Sequence, residues 1–187
     1  MSRGLRLITM LVCSLALGGC ASKSPPAPKP TQESVREGFT DAQTAKALAA
    51  VADTRTRAGI SRWFERRVSN AAKREQSATI ARVAIGESIN IGGGMSLERV
   101  FVLWNEHDQS QFVTRLSAME LIAGSLRSDF SRVVGGTGKA IAEIDFAELN
   151  RIILKLYTFK EDDMPCCPTN EGRTGFQLNP AGLEQLQ

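Results

Sequence analysis

Histidine is almost absent from this sequence, which has a single one, His107, in a polar stretch. Asp108 follows it, but the chain has no Gly-x-Ser-x-Gly turn to supply the nucleophile of a Ser-His-Asp triad. A lone histidine in a polar loop is usually solvated. We therefore predict no catalytic residue and a protein that is not an enzyme.

Phosphate-binding signatures are also missing. Gly138-Lys139 matches the Gly-Lys pair of a phosphate-binding loop. However, Val133 stands at the position of the loop's first glycine, and Ala140 stands where Ser or Thr would bind magnesium. The triplet Gly92 to Gly94 lacks the lysine and helix start of such a loop, so it predicts a turn. We expect no nucleotide or other cofactor.

Long apolar runs are lacking except near the N-terminus, where Leu5 to Leu17 is almost unbroken after Arg3 and Arg6. This run is shorter than the roughly 20 residues that span a bilayer. It ends in Leu17-Gly18-Gly19-Cys20. A basic start, a short apolar segment and a cysteine after small residues resemble the signal peptide of bacterial lipoproteins. The resemblance covers residues 1–20.

This resemblance implies that residues 1–19 are a removed signal peptide and that Cys20 becomes a lipidated N-terminus carrying palmitate-type acyl chains. Each buried methylene contributes roughly 0.8 kcal/mol, so two or three chains anchor a protein stably to a membrane. The expected location is the cell envelope. Because Ala21 is not an aspartate, the resemblance implies the outer membrane, facing the periplasm, if the cell is Gram-negative.

Residues 20–33 contain four prolines and no large apolar side chain, so they are predicted to form an extended tether after the lipidated cysteine. Residues 21–32 would reach roughly 35 Å at about 3.1 Å per residue. Removing residues 1–19 takes away two arginines and no acids, which leaves 21 basic against 20 acidic residues. This balance gives no support for nucleic-acid binding.

Residues 34–187 are predicted to form a single α+β globular domain, with helices packed on a small, mainly antiparallel sheet. Thr40 and Gln43 match a capping box for a first helix, and Gly59 is the expected break before a second one. The first helix presents a stripe of Ala45, Leu48, Ala49 and Ala52. The second helix has a more hydrophobic face, made of Ile60, Trp63, Phe64, Val68 and Ala71.

Alternating apolar residues predict a strand from Thr79 to Ile91. The stretch from Val100 to Leu116 fits a hairpin, although residues 97–104 also match helical spacing. Ser117 and Glu120 match a second capping box, which predicts a helix up to Val133. Strands are expected at residues 139–146, 151–159 and 175–178.

Basic residues cluster in and around the second predicted helix, and only Glu65 and Glu75 lie near them in sequence. We interpret this cluster as a local interaction face for phosphate groups or an acidic partner, with a solvated helix surface as the alternative. Its residues are Arg55, Arg62, Arg66, Arg67, Lys73 and Arg74.

Cysteine is scarce, and after lipidation of Cys20 the predicted domain has only the neighbours Cys166 and Cys167. An oxidising envelope favours a disulfide between them. Cross-linking to another chain, reduced structural thiols and a copper or zinc site remain alternatives. His107 lies about sixty positions away, so we predict no metal site.

Taken together, these patterns predict a lipid-anchored envelope protein with a structural or protein-interaction role, such as an accessory of an envelope assembly or secretion system. Its expected partners are the membrane, through the lipid, and other envelope proteins. The alternative function is thiol redox chemistry or metal handling by Cys166 and Cys167.

We predict that Cys166 and Cys167 form a disulfide in protein taken from the envelope, because these are the two thiols left after lipidation. Non-reducing mass spectrometry with alkylation before and after reductant reads their state. Protein prepared without oxygen should resist alkylation until reductant is added. If both sulfurs alkylate at once, the disulfide is absent, and copper or zinc in the same sample would then favour the metal site.

Overall fold

A computed structural model describes residues 42–108, 111–137, 140–164 and 168–186. Cys20, the tether, Thr40, Cys166 and Cys167 lie outside the described residues. The described chain forms two helices and eight strands: α1 (Ala42–Ala49), α2 (Thr54–Ala72), β1 (Ser77–Gly92), β2 (Met95–His107), β3 (Phe112–Ile122), β4 (Ser125–Gly136), β5 (Ala140–Glu148), β6 (Arg151–Thr158), β7 (Asn170–Asn179) and β8 (Gly182–Leu186).

The predicted α+β fold with a small sheet is wrong, because the protein is β-rich. Strands make up 61% of the described residues and the two helices only 20%. The difference comes mainly from the segment between residues 117 and 136, which the capping pattern assigned to a helix and which forms parts of two long strands.

All eight strands follow one another in an antiparallel meander, in the order β1 to β8. β4 and β5 are joined by only one residue pair, Gly136 with Ala140, whereas each other neighbouring pair is joined along most of the shorter strand. The meander therefore divides into two four-stranded sheets, β1–β4 and β5–β8.

The second sheet lies across one face of the first. β5 starts beside the end of β4, and the turn after β5 reaches the opposite edge strand, β1. There, a Cβ built on Gly86 would stand 2.3 Å from the carbonyl oxygen of Leu149. Glycine at this position thus lets the two backbones approach, and the sheets pack as a sandwich.

A first core fills the space between the sheets. β2 and β3 contribute Phe101, Leu103, Leu116 and Ala118, all at most 2% exposed. The facing side chains come from β5, β6 and β7, and they are Ala142, Ile152, Leu154, Phe176 and Leu178.

A second core lies on the opposite face of the first sheet, beneath the helices. Its centre is an aromatic cluster of Trp63 and Phe64 from α2 with Trp104 from β2. The rings of Trp63 and Trp104 meet edge to face at 6.0 Å between centroids, and those of Phe64 and Trp104 at 6.2 Å. The buried indole of Trp104 donates to the Ser117 hydroxyl at 2.9 Å, so its polar atom is satisfied.

The predicted apolar face of the second helix is confirmed, since its five residues are all buried in the second core. The helix starts earlier than expected, at Thr54, because Asp53 caps it: its carboxylate accepts from the Thr56 amide at 2.5 Å. In α1 the prediction was only partly right. Leu48 is buried, but its buried companions are Thr44 and Ala47 rather than the predicted alanines.

The predicted break at Gly59 is wrong, because Gly59 lies inside α2. Its Cβ position would be 2.4 Å from the carbonyl oxygen of Gly124, in the turn between β3 and β4. Gly124 itself has φ +77° and would place a Cβ 2.3 Å from the Arg55 carbonyl oxygen. Two glycines therefore allow direct backbone contact between helix and turn.

The predicted helix from Ser117 to Val133 is the hairpin β3–β4. Its turn, Ala123 and Gly124, has positive φ at both residues, as the type I′ turn of a two-residue hairpin requires. Ser117 accepts the Trp104 indole instead of capping a helix. The apolar residues taken for one helical face are divided between the two sides of the sheet, with Leu121 under the helices and Phe130 against the other sheet.

The other strand predictions are confirmed. Residues 79–91 lie in β1, which ends at Gly92, and Gly93 and Gly94 form the turn after it. Residues 97–107 lie in β2 rather than in a helix, and residues 112–116 lie in β3, its hairpin partner. The strands expected at 139–146, 151–159 and 175–178 correspond to β5, β6 and β7. β8 was not predicted.

We expect Gly59→Ala to destabilise the protein by about 1–3 kcal/mol, although alanine favours helices, because its methyl group meets the Gly124 backbone. Urea unfolding followed by circular dichroism measures this change. Gly172→Ala is the matched control, since its Cβ position has open space, and it should change stability by less than about 0.5 kcal/mol. A Gly59→Ala protein as stable as the wild type would contradict the close packing.

Candidate functional site

The first sheet is only partly covered by α2, and a cavity of about 410 Å³ opens where the helix ends. We call it the helix–sheet cleft. One wall comes from α2 and the turn after it, and the floor comes from β2 and β3. The lining residues on which its chemistry depends are Arg67, Asn70, Arg74, Trp104, Glu106 and Arg115.

Glu106 holds the floor of the cleft together. Its Oε1 accepts from Arg74 Nη2 at 2.6 Å, and its Oε2 accepts from Arg115 Nε at 2.7 Å. The carboxylate is only 10% exposed, whereas Arg74 is 53% and Arg115 32% exposed. One largely buried negative charge therefore positions two guanidinium groups whose outer faces remain open to water.

Asp129 on β4 plays the same part for the third arginine. Its Oδ2 accepts from the Trp63 indole at 2.8 Å and pairs with Arg67. Its Oδ1 is buried and has no hydrogen-bond partner among the described residues. Asp129 thus links the aromatic core to the rim of the cleft.

Two of these guanidinium groups also contact indole rings. The Arg67 carbon Cζ lies 5.4 Å from the centroid of Trp63, and that of Arg115 lies 5.9 Å from Trp104. Such cation–π contacts add to the ion pairs in fixing the orientation of the side chains. The tryptophans are 1% and 2% exposed, so the arginines also shield the core from water.

The charges around the cleft do not balance. Arg67, Arg74 and Arg115 face two carboxylates, Glu106 and Asp129, which leaves one excess positive charge. Each guanidinium has five N–H donors. In the part of the chain that the structure describes, Arg115 uses only Nε and Arg67 only Nη2 for hydrogen bonds. The arrangement can therefore bind an anionic group.

The structure divides the predicted basic face into three parts. Arg67 and Arg74 border the helix–sheet cleft. Arg62 donates to the Gly124 carbonyl at 2.8 Å and helps to fasten the helix to the β3–β4 turn. The remaining three are exposed on the helix or just beyond its end, and they are Arg55, Arg66 and Lys73.

Sequence reasoning missed Arg115, Glu106 and Asp129, which come from three different strands. For Glu106 and Arg115, the sequence pattern of β2 and β3 contained a weak signal. Trp104 and Glu106 point to the same side of β2, and Arg115 stands directly opposite Trp104 in the register. Asp129 lay in the segment that was predicted as a helix, so no such pairing was visible for it.

A second cavity, of about 600 Å³, opens at one end of the inter-sheet core. The side of this cavity formed by the first sheet carries an ionic network. In it, Arg99 pairs with Glu87 and Glu120, and Ser128 donates to Glu120 at 3.1 Å. The side formed by the second sheet carries amide groups, including that of Asn150, which donates to the Leu178 carbonyl at 3.1 Å. This network bridges strands of one sheet and has a structural role.

The loop that contains Cys166 and Cys167 is described only at its two ends. Asp163 joins them: its Oδ2 accepts from the backbone amides of Lys160 and Thr169, both at 2.8 Å, and its Oδ1 accepts from the Thr169 hydroxyl at 2.7 Å. These donors, first the Lys160 amide, lower the pKa of Asp163 below its ordinary value.

His107 ends β2, and its ring lies 6.0 Å from that of Phe112 across the β2–β3 turn. Asp108 accepts from the Gln111 amide at 2.7 Å and so shapes this turn. Within the described ranges, no group of three or more His, Cys, Asp or Glu side chains is placed to hold a metal ion.

Comparison with protein-family models, with curated proteins and with solved structures gives no match to this chain. Neither α1 nor α2 is long and apolar enough to cross a membrane.

We expect Asp163→Ala to speed hydrogen exchange at the amides of Lys160 and Thr169, because both lose their acceptor. Asp162→Ala removes a neighbouring exposed carboxylate and should leave these two rates unchanged. NMR-detected exchange measures both variants. Unchanged rates in Asp163→Ala would contradict the closure of the loop by this carboxylate.

The same contacts give a sign for the pH dependence. Because the pKa of Asp163 is lowered by folding, its contribution to loop stability is present above its unfolded pKa, about 3.9. That contribution is lost as the pH falls through the lower, folded pKa. The carboxyl carbon of Asp163 should accordingly titrate in NMR spectra at a lower pH than that of an unstructured aspartate.

Proposed function

We propose that this chain is a lipid-anchored lipoprotein of the cell envelope, with a structural or protein-interaction role in an envelope assembly or secretion system. The observation that carries the proposal is the sequence Leu17-Gly18-Gly19-Cys20 at the end of the short apolar segment. If the cell is Gram-negative, the proposed location is the outer membrane, facing the periplasm.

Two further observations support this function. The proline-rich tether separates Cys20 from the first described residues, so an anchored domain would work at a distance from the lipid headgroups. The helix–sheet cleft presents fixed guanidinium groups to solvent, and arginine is enriched at protein interfaces. Both features suit a protein that holds a partner close to a membrane.

Thiol redox or metal handling is the second proposed function. Cys166 and Cys167 are adjacent in sequence and lie between two prolines, and Asp163 closes the base of their loop. A strained disulfide at such a site is more easily reduced than a relaxed one. The alkylation and metal measurements described for this pair report its oxidation state and any bound metal, and bound copper or zinc would favour metal handling.

We expect Cys20→Ser to abolish the incorporation of a clickable fatty acid and to release the protein from membranes, because the lipid is its proposed anchor. Metabolic labelling followed by membrane fractionation measures both effects. Cys13→Ser is the matched control: it changes a cysteine within the apolar segment and should leave labelling intact. Continued labelling of Cys20→Ser would contradict the anchor.

A further inference from the structure

We propose that the helix–sheet cleft binds a carboxylate on an acidic segment of a partner protein, next to an apolar side chain of that segment. This inference rests on the proposed protein-interaction function and names the chemistry of the partner. It is argued from the charge, the donors and the apolar rim of the cleft.

The charge of the cleft favours a singly charged anion. Three arginines face two carboxylates, so one added carboxylate brings the site to neutrality. A phosphate monoester carries nearly two charges at neutral pH and would leave the site negative. Planar guanidinium groups also match the planar carboxylate, with which they form paired hydrogen bonds.

The donors are already held in place before any ligand arrives. Arg115 is fixed by Glu106 and lies over the ring of Trp104, and Arg67 is fixed by Asp129 and lies over the ring of Trp63. Ordering a long, free side chain on binding has an entropic cost. Here most of that cost is met during folding, so the free N–H groups are preorganised for an anion.

The rim of the cleft points to a peptide rather than a small acid. Val113 lines the cleft and is 37% exposed, and Val133, directly opposite Arg115 in the β3–β4 register, is 48% exposed. Asn70 and Ser131 add neutral polar groups at the lining. Apolar and hydrogen-bonding groups beside the arginines fit a peptide in which a Glu or Asp neighbours an aliphatic residue.

The test uses the full-length protein in micelles of an uncharged detergent, with ¹⁵N-labelled arginine and tryptophan. The probe is the singly charged peptide acetyl-Ser-Val-Glu-Val-Ser-amide, and the matched peptide has Gln in place of the Glu. Sodium acetate and inorganic phosphate are titrated separately. We expect the Glu peptide to shift the Nε–H signals of Arg67, Arg74 and Arg115 and the indole signal of Trp104.

Variants separate the charge from the apolar rim. Arg115→Gln should weaken binding of the Glu peptide at least about tenfold, as expected for loss of a charged hydrogen bond. Arg66→Gln removes an exposed arginine of α2 that does not line the cleft, and it should leave the affinity unchanged. Val133→Ser should weaken binding of the peptide but not of acetate, and it leaves the ion pairs of Glu106 intact.

Three outcomes would overturn the proposal: no shift of the three arginine signals, equal binding of the Glu and Gln peptides, or tighter binding of phosphate than of the Glu peptide. The Val133→Ser arm still tests the proposal if Arg115→Gln does not fold. The result is also independent of the anchor. Peptide binding together with continued lipid labelling of Cys20→Ser would contradict the anchor alone, whereas lipidation without peptide binding would contradict this inference alone.

Discussion

The two-sided burial of strand β2 is the constraint on which the rest of the structure depends. Phe101 and Leu103 point into the core between the sheets, while Val100, Val102 and Trp104 point into the core beneath the helices. A strand buried on both faces needs a cover on each side. The second sheet supplies one cover and α2 the other. Beyond the end of α2, arginine and carboxylate side chains cover this face of the sheet in place of the helix, and they line the helix–sheet cleft.

The elements that the sequence predicted well have one clear period. The alternation in β1 predicted a strand, and the helical spacing of Ile60, Trp63 and Phe64 predicted a helix. In β1 the alternating residues do not form one buried face, because register shifts after Ile80 and Ile85 interrupt the alternation and Ile91 is exposed. The β3–β4 hairpin was misassigned because two strands joined by a two-residue turn placed apolar residues at helical intervals by coincidence. A Ser-Glu pair reinforced that assignment. Tertiary packing against Trp104 and the second sheet overrode these local signals, and a single sequence contains no record of those contacts.

The candidate site was predicted only in the part that lies on one element. Arg67 and Arg74 stood out because they belong to a run of basic residues on α2 and in the turn that follows it. Glu106, Arg115 and Asp129 belong to three strands, and only the register of the sheet brings them together. Charge clustering along the chain therefore identified a face, but it did not distinguish Arg66, which is exposed, from its neighbour Arg67, which braces the core.

The neighbour-to-neighbour order of the strands has a consequence for how the protein reaches its folded state. Each strand pairs with the one made just before it, so its hydrogen-bonding partner is already present when it is synthesised. The buried apolar side chains of the helical core all lie at or before Leu121, and the β3–β4 turn and β4 add the contacts of Gly124 and Asp129 with α2. If the chain is exported as proposed, the apolar part of this core can assemble before strands β5 to β8 have emerged. The second sheet then packs on a first sheet whose opposite face the helices already cover.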